Sequence, residues 1–294
     1  MNEPAPADNP QTETYPGPFD LPSSQPPLTT IGPDNPPWGI GEAVIVWLLS
    51  VVLLAFVPVF CAIPYVVYKQ VVSGSTADLA TDPNLIFVSI LGVLPAHGLT
   101  FLMVWYVVTK WGRQPLWRTL GWTWPKNFRP LKTIGLAVLL FACGSLIAWL
   151  VGGAETSVDL IIKSSMKTRF TTAILAAVTG PLVEELIYRG ILYAPLQRAL
   201  GVGAAVAIVS ALFAGVHVVQ YYNNIGVIAV ITLLSVSLTL VRARSGSLLP
   251  SYVIHLVFNG IQAVLLVIQP FVGKPAQDKA VSGFFVHALA RFFS

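Results

Sequence analysis

The segment GPLVEELIYRG, residues 180–190, places two adjacent glutamates and an arginine inside an otherwise apolar stretch. It belongs to a chain of 294 residues, of which 55% are hydrophobic and only 10% are charged. Soluble domains carry about 25% charged residues, so this composition predicts a membrane protein. Ionisable side chains inside a membrane span are costly unless they are paired or hydrated, which makes Glu184, Glu185 and Arg189 candidate functional residues.

The apolar residues form long runs with few charges. A helix needs about 20 mostly apolar residues to cross a bilayer, and the sequence offers seven segments close to or above this length. The composition and these segments predict an all-α membrane protein, a polytopic bundle of about seven to eight transmembrane helices. The segments are residues 43–68, 85–109, 133–154, 170–199, 203–219, 225–241 and 248–272.

Four regions follow from this division of the chain. Residues 1–37 are rich in proline, serine, threonine and acidic residues and are predicted to be a disordered tail. Residues 38–169 hold the N-terminal transmembrane helices, with a loop at 110–132 that mixes basic residues and four tryptophans, as interfacial segments do. Residues 170–272 hold the core helices with the ionisable groups. Residues 273–294 are predicted to be an amphipathic or partial-span segment.

The basic loop also predicts an orientation. Loops on the side of residues 110–132 carry more lysine and arginine than those on the other side, which favours a cytoplasmic N-terminal tail. The first 37 residues contain no lysine or arginine, so the first span, rather than a signal peptide, is expected to direct insertion. The net charge of +4 lies in the loops and predicts no nucleic-acid partner.

Helical spacing separates the two glutamates of the opening segment. Glu185 and Arg189 are four residues apart with the acid on the N-terminal side, which is the favourable order for an ion pair. Glu184 is turned by about 100° from Glu185 in a helix of 3.6 residues per turn. Glu184 is therefore expected to be the freer carboxylate. A partly desolvated glutamate holds a proton more readily, as a general base working near neutral pH requires.

Two further pairs of residues share this spacing of four. Phe213 and His217 lie on one face of an apolar segment, and His255 and Asn259 lie on one face of another. Three helices that each offer one polar face predict a single intramembrane polar cavity. Phe213 is expected to support the cavity by packing, and the isolated His97 is interpreted as a hydrogen-bonded packing residue.

In this order, the three motifs resemble those of the CPBP family of intramembrane proteases. They stand as EELIYR at 184–189, FAGVH at 213–217 and HLVFN at 255–259, and the resemblance covers roughly residues 170–265. The family includes CAAX prenyl endopeptidases and prokaryotic members linked to bacteriocin processing and self-immunity. The resemblance implies about eight membrane segments and peptide-bond hydrolysis in a cavity open toward the cytoplasm. It also implies an integral multi-pass protein of a prokaryotic cell membrane.

The resemblance implies a role for each motif residue. Glu184 would activate the attacking water, and His217 would help to hold that water. His255 and Asn259 would stabilise the oxyanion of the tetrahedral intermediate, a role that suits preorganised donors in a low dielectric. The second glutamate and the arginine of the first motif would fix the helix as a structural pair.

The motifs leave metal dependence open. Glu184, His217 and His255 form a set of one carboxylate and two histidines, which can hold zinc with a water at the open position. The protein would then be an intramembrane metalloprotease. The HExxH pattern is absent, and a metal-free glutamate mechanism is favoured. No cofactor is therefore required by this interpretation, and zinc is the alternative.

The sequence favours an endopeptidase that acts on membrane-associated peptide or protein substrates within the lipid bilayer. These substrates would be of the CAAX type or of the leader or bacteriocin type. The alternative is a non-catalytic immunity or scaffold protein of the same fold that binds a peptide or partner. A transporter that uses the carboxylates as a proton relay is a third hypothesis. The sequence predicts neither the individual substrate nor the oligomeric state.

Overall fold

The structure is a computed structural model that describes residues 31–74, 78–126 and 128–272. Across these ranges the chain forms helices and loops, with one isolated bridge between Gly32 and Asn35 and no strand. The predicted all-α class is confirmed. The segment predicted for residues 273–294 lies outside the described residues, as do residues 1–30 of the predicted tail.

Eleven α-helices occur in the described parts of the chain, together with a 3₁₀ turn at Leu79–Thr81 and two π-helical stretches, Leu175–Thr179 and Leu186–Leu192. The α-helices are α1 Ile40–Ser73, α2 Pro83–Leu91, α3 Val93–Thr109, α4 Leu116–Thr119, α5 Pro130–Val151, α6 Ser157–Ser164, α7 Met166–Ile174, α8 Gly180–Glu185, α9 Tyr193–Tyr221, α10 Ile225–Ser245 and α11 Leu248–Val272.

Several helices begin at side chains that satisfy free backbone N–H groups. Asp82 accepts a hydrogen bond of 2.8 Å from the N–H of Asn84 at the start of α2. At the start of α6, Thr156 and Asp159 cap each other reciprocally. Asn224 accepts from the backbone at the start of α10. Polar residues between the apolar runs therefore fix where these helices begin.

Six helical segments in the described part of the chain are long and apolar enough to cross a membrane. The chain is an integral multi-pass membrane protein. The fourth segment, Met166–Tyr221, has 56 residues, or roughly 84 Å of helix, against a hydrocarbon core of about 30 Å. It is interrupted at Gly201, where φ is 82° and ψ is 167°. The segments expected at 170–199 and 203–219 both lie within it, so the six apolar segments contain all seven segments predicted from the sequence.

The centre of the bundle is the stretch from residue 185 to residue 196, in which every residue is buried. Its apolar members include Leu186, Ile191 and Tyr193, each with no exposed surface. A helix that is enclosed on all sides belongs to the interior of a bundle, surrounded by the other helices. The first motif therefore lies where the surrounding helices can place their own polar side chains against it.

The predicted end of the tail at residue 37 differs from the structure, in which residues 31–37 lie against the helices. Arg242 of α10 donates to the Asp34 carboxylate and to the Pro33 carbonyl, each at 2.8 Å. Arg198 of α9 donates to the Asn35 side-chain oxygen, also at 2.8 Å. Two arginines near helix ends thus find their acceptors in this segment, which composition alone did not predict.

The loop after α3 is only partly exposed. Trp111 and Trp117 have 72% and 43% of their surface exposed, whereas Trp122 packs between Trp117 and Tyr252 with ring centroids 4.8 Å apart in both pairs. Some of these tryptophans therefore hold the loop on the bundle. The interfacial position of the loop stays a prediction.

Close packing between α1 and the junction of α2 and α3 gives a test of the fold. A Cβ at Gly92 would lie 2.8 Å from the Pro58 Cα and 3.0 Å from the Cys61 Cβ. A Cβ at Gly98, within α3, would meet nothing within 4 Å. We expect Gly92→Ala to lower the free energy of unfolding by about 1–3 kcal/mol because the helices must separate. Gly98→Ala should be neutral or slightly stabilising.

Thermal unfolding of the two variants in the same detergent micelles checks this expectation. Equal melting temperatures for Gly92→Ala and Gly98→Ala would contradict the contact between α1 and the α2–α3 junction.

Candidate active site

The first motif lies in an interrupted helix. α8 is a six-residue α-helix between the two π-helical stretches. In a π-helix the N–H group bonds to the carbonyl five residues back, as Gly180 does to Leu175 and Tyr193 does to Tyr188. Such short π insertions are frequent at functional sites. The regular α-helical spacing assumed from the sequence therefore holds only in part.

The predicted pair of Glu185 and Arg189 forms, with 2.9 Å between Nη1 and Oε1 and both side chains fully buried. The guanidinium also donates to the Thr239 hydroxyl at 3.2 Å, and to the carbonyl and hydroxyl of Ser235 at 2.9 and 2.8 Å. These two residues of α10 were missed in the sequence. Their own spacing of four within an apolar helix is the signal that could have revealed them.

His255 lies between the two glutamates. Its Nδ1 is 3.0 Å from Oε1 of Glu185, and its Nε2 is 3.5 Å from Oε2 of Glu184. The sequence motif predicted that His255 binds the oxyanion, whereas here both ring nitrogens face carboxylates. Because Glu185 is neutralised by Arg189 and orients the ring, this geometry suits the movement of one proton between His255 and Glu184.

Phe213 makes the contact that joins all three motifs. Its ring, 2% exposed, lies 4.8 Å from the Arg189 guanidinium, 4.7 Å from the His217 ring and 6.0 Å from the His255 ring. Its carbonyl accepts from Nδ1 of His217 at 2.7 Å. Since a carbonyl can only accept, the neutral imidazole of His217 carries its proton on Nδ1 and leaves Nε2 as an acceptor.

Asn259 is held by a carbonyl that the π-helical stretch leaves free. In a register of five residues, the Ala176 carbonyl would accept from residue 181, which is a proline and has no N–H. The Asn259 amide donates to this carbonyl at 2.9 Å instead. An amide has two N–H groups, so a second donor remains for the cavity that Asn259 lines.

The four predicted catalytic residues line one cavity of about 510 Å³. The side chain of Glu184 is 30% exposed, whereas that of Glu185 has no exposed surface. The cavity also includes His97, which the sequence interpretation treated as packing because it lies outside the motifs. The predicted convergence of the three motifs on one cavity is confirmed, and most of the residues that line this cavity are apolar.

The cavity extends beyond the motif residues toward α6, with Asp159 and Ile162 in its lining. α6 follows the end of α5 that is remote from the loop at 110–132. The predicted orientation places this end outside the cytoplasm, whereas the resemblance implies a cytoplasmic opening. The orientation and the direction of opening therefore both stay predictions.

The segment that contains this site is similar to a known protein family. Residues 166–261 match a family model described as type II CAAX prenyl endopeptidase Rce1-like. The match covers about a third of the chain, and residues 166–261 are similar to an Rce1-like domain. The match contains all three motifs and is consistent with the resemblance to CPBP intramembrane proteases. No curated protein and no solved structure matches the chain. The similarity to this family supports a peptidase of the CAAX type within an integral membrane protein.

The predicted zinc ligands are not assembled as a set of three in the described residues. Within the described residues, no group of three or more His, Cys, Asp or Glu side chains is placed to hold a metal ion. Glu184 and His255, two of the three predicted ligands, lie 3.5 Å apart, a separation that two atoms bound to one zinc ion can have when each is about 2.0–2.2 Å from it. Metal dependence therefore stays a prediction, and the metal-free mechanism is the one proposed below.

The buried pair of the Rce1-like domain gives a stability test. Arg189→Met leaves the Glu185 carboxylate buried without its cation, and we expect the free energy of unfolding to fall by about 3–5 kcal/mol. Adding Glu185→Gln removes the charge but keeps an acceptor for His255. The double variant should therefore recover part of the loss in thermal unfolding. A double variant that is no more stable than Arg189→Met would contradict this account.

Proposed function

We propose that the protein is an intramembrane endopeptidase that hydrolyses membrane-associated substrates, with Glu184 as its general base. The observation that carries this proposal is the difference between two adjacent glutamates. Glu185 is fully buried and neutralised by Arg189, whereas Glu184 is partly exposed on the cavity. Only Glu184 has both the access to water and the free lone pairs that a general base needs.

In the proposed reaction, Glu184 takes a proton from water while the water oxygen attacks the carbonyl carbon of the scissile bond. The C–N bond then breaks, and the proton passes from Glu184 to the leaving amine. His217 supports the first step because its Nε2 is an acceptor that can hold the second hydrogen of the water. His255 supports the proton transfers because its Nε2 lies 3.5 Å from the same carboxylate.

The oxyanion needs a donor that is fixed before the reaction. The contacts favour Asn259 for this role, because one N–H is anchored on Ala176 and the other remains for the substrate oxygen. His255 was proposed with it from the motifs. Its contacts with two carboxylates favour a role as the proton partner of Glu184. In the third motif, Asn259 is therefore the proposed oxyanion donor and His255 the proposed proton partner of Glu184.

The proposed substrates are membrane-associated peptides or proteins, of the CAAX type or of the leader type. The Rce1-like match supports the CAAX type, and the apolar residues of the cavity wall suit a substrate delivered from the bilayer. A prokaryotic cell membrane and a cytoplasmic tail belong to the same proposal. The proposed reaction requires no metal ion.

The test compares peptide termini in cells that carry wild-type protein, Glu184→Gln or His217→Ala. We expect both variants to insert normally and to lose cleavage by about 100-fold or more, as removal of a general base does. Glu155→Gln is a matched control, because Glu155 is an exposed carboxylate paired with Lys163. This control should cleave as the wild type does.

Full cleavage by Glu184→Gln would contradict the proposed function. If Glu184→Gln instead restored the phenotype of a deletion strain without any cleavage, the non-catalytic immunity or scaffold protein would be favoured.

A further inference from the structure

We propose that His97 of α3 is a substrate-binding residue of this site, whose Nε2 accepts a hydrogen bond from a backbone N–H of the bound peptide. This inference rests on the proposed function and adds to it. His97 lies outside the three motifs and outside the segment matched by the Rce1-like family. It nevertheless lines the same cavity as Glu184, His217 and His255.

A chain of hydrogen bonds fixes the proton of His97. Its Nδ1 is 2.9 Å from the Thr179 hydroxyl, and that hydroxyl is 3.4 Å from the Leu175 carbonyl. A carbonyl can only accept, so the hydroxyl proton points to Leu175 and the hydroxyl oxygen accepts from Nδ1–H of His97. The neutral imidazole thus carries its proton on Nδ1, and Nε2 is an acceptor.

The Nε2 atom is available for a ligand. Among the described residues Nε2 makes no hydrogen bond, and the atom keeps some accessible surface. His97 shares the cavity wall with the proposed oxyanion donor Asn259. The cavity therefore offers an acceptor and a donor, which are the two groups that the backbone of a bound peptide requires.

The position of Thr179 brings His97 close to the proposed base. Thr179 ends the first π-helical stretch and is followed by Gly180. The Glu184 carboxylate folds back along this turn, since a Cβ at Gly180 would lie 3.9 Å from its Oε1. His97 thus lies on the part of the wall where the scissile region of the peptide must sit.

Backbone chemistry gives the reason for such an acceptor. A peptide that enters an apolar cavity loses water from each N–H, and a buried N–H without an acceptor costs about as much as a lost hydrogen bond. In the proposed reaction the Glu184 carboxylate binds the attacking water, and the second N–H of Asn259 can only donate a hydrogen bond. His97 supplies the acceptor that the substrate needs beside these two groups.

A purely structural role for His97 would depend on the other nitrogen, Nδ1, which joins α3 to the π-helical stretch. Substitution can separate the two roles. Asn places an amide at the position of Nδ1, whereas Gln places one at the position of Nε2. A substrate-binding role therefore predicts rescue by His97→Gln, and a structural role predicts rescue by His97→Asn.

The experiment measures KM and kcat of the purified full-length protein in detergent micelles, with an internally quenched farnesylated CAAX peptide as the probe. We expect His97→Gln to stay within about 3-fold of the wild type. His97→Asn and His97→Leu should raise KM by about 3-fold to 10-fold with little change in kcat, as the loss of one uniformly used hydrogen bond does.

Thr100→Val is the matched control on the same helix. Thr100 is buried and donates only to the Ala96 carbonyl, and it does not line the cavity. Its KM and kcat should equal those of the wild type. Thr179→Ser keeps the hydroxyl that orients the imidazole and should also behave as the wild type, whereas Thr179→Val should raise KM as His97→Leu does.

Three results would overturn the assignment of His97. These are rescue by His97→Asn but not by His97→Gln, wild-type KM in His97→Leu, and a loss confined to kcat. Failure of the proposed function looks different, because the wild type would then leave the probe uncleaved or Glu184→Gln would cleave it equally well.

Discussion

The arginine at position 189 is the group on which the site depends, because a guanidinium without exposed surface must find all its acceptors inside the bundle. It does so by bonding Glu185 on its own helix and Ser235 and Thr239 on α10. Phe213 of α9 covers it at 4.8 Å. One buried cation therefore fixes the relative positions of three segments of the chain.

The same interaction determines which groups can react. The Glu185 carboxylate is ion-paired with Arg189 and contacts Nδ1 of His255, so it is unsuited to take a proton from water. Glu184, its immediate neighbour, borders the cavity and has no lysine or arginine partner in the part of the chain that the structure describes. Of these two consecutive residues, Glu185 therefore has a structural role and Glu184 has the proposed catalytic role. Both carboxylates lie in α8, where adjacent residues point about 100° apart, so the two groups have different surroundings.

Spacing of four residues predicted the Glu185–Arg189 pair and the convergence of the three motifs, because such local geometry survives in any helix that is mostly regular. It could not predict the two π-helical stretches, and hence not that Asn259 replaces the N–H missing at Pro181. The place of His97 in the cavity wall and the docking of residues 31–37 were also missed. Both arise from contacts between segments distant in sequence, which periodicity does not encode.

The central claim is that these two glutamates have different tasks. The most direct measurement compares Glu184→Gln and Glu185→Gln in one preparation, recording both the cleavage rate and the melting temperature. The account predicts that Glu184→Gln loses cleavage and keeps the melting temperature of the wild type, whereas Glu185→Gln melts at a clearly lower temperature. A destabilised Glu184→Gln together with a fully stable Glu185→Gln would contradict it.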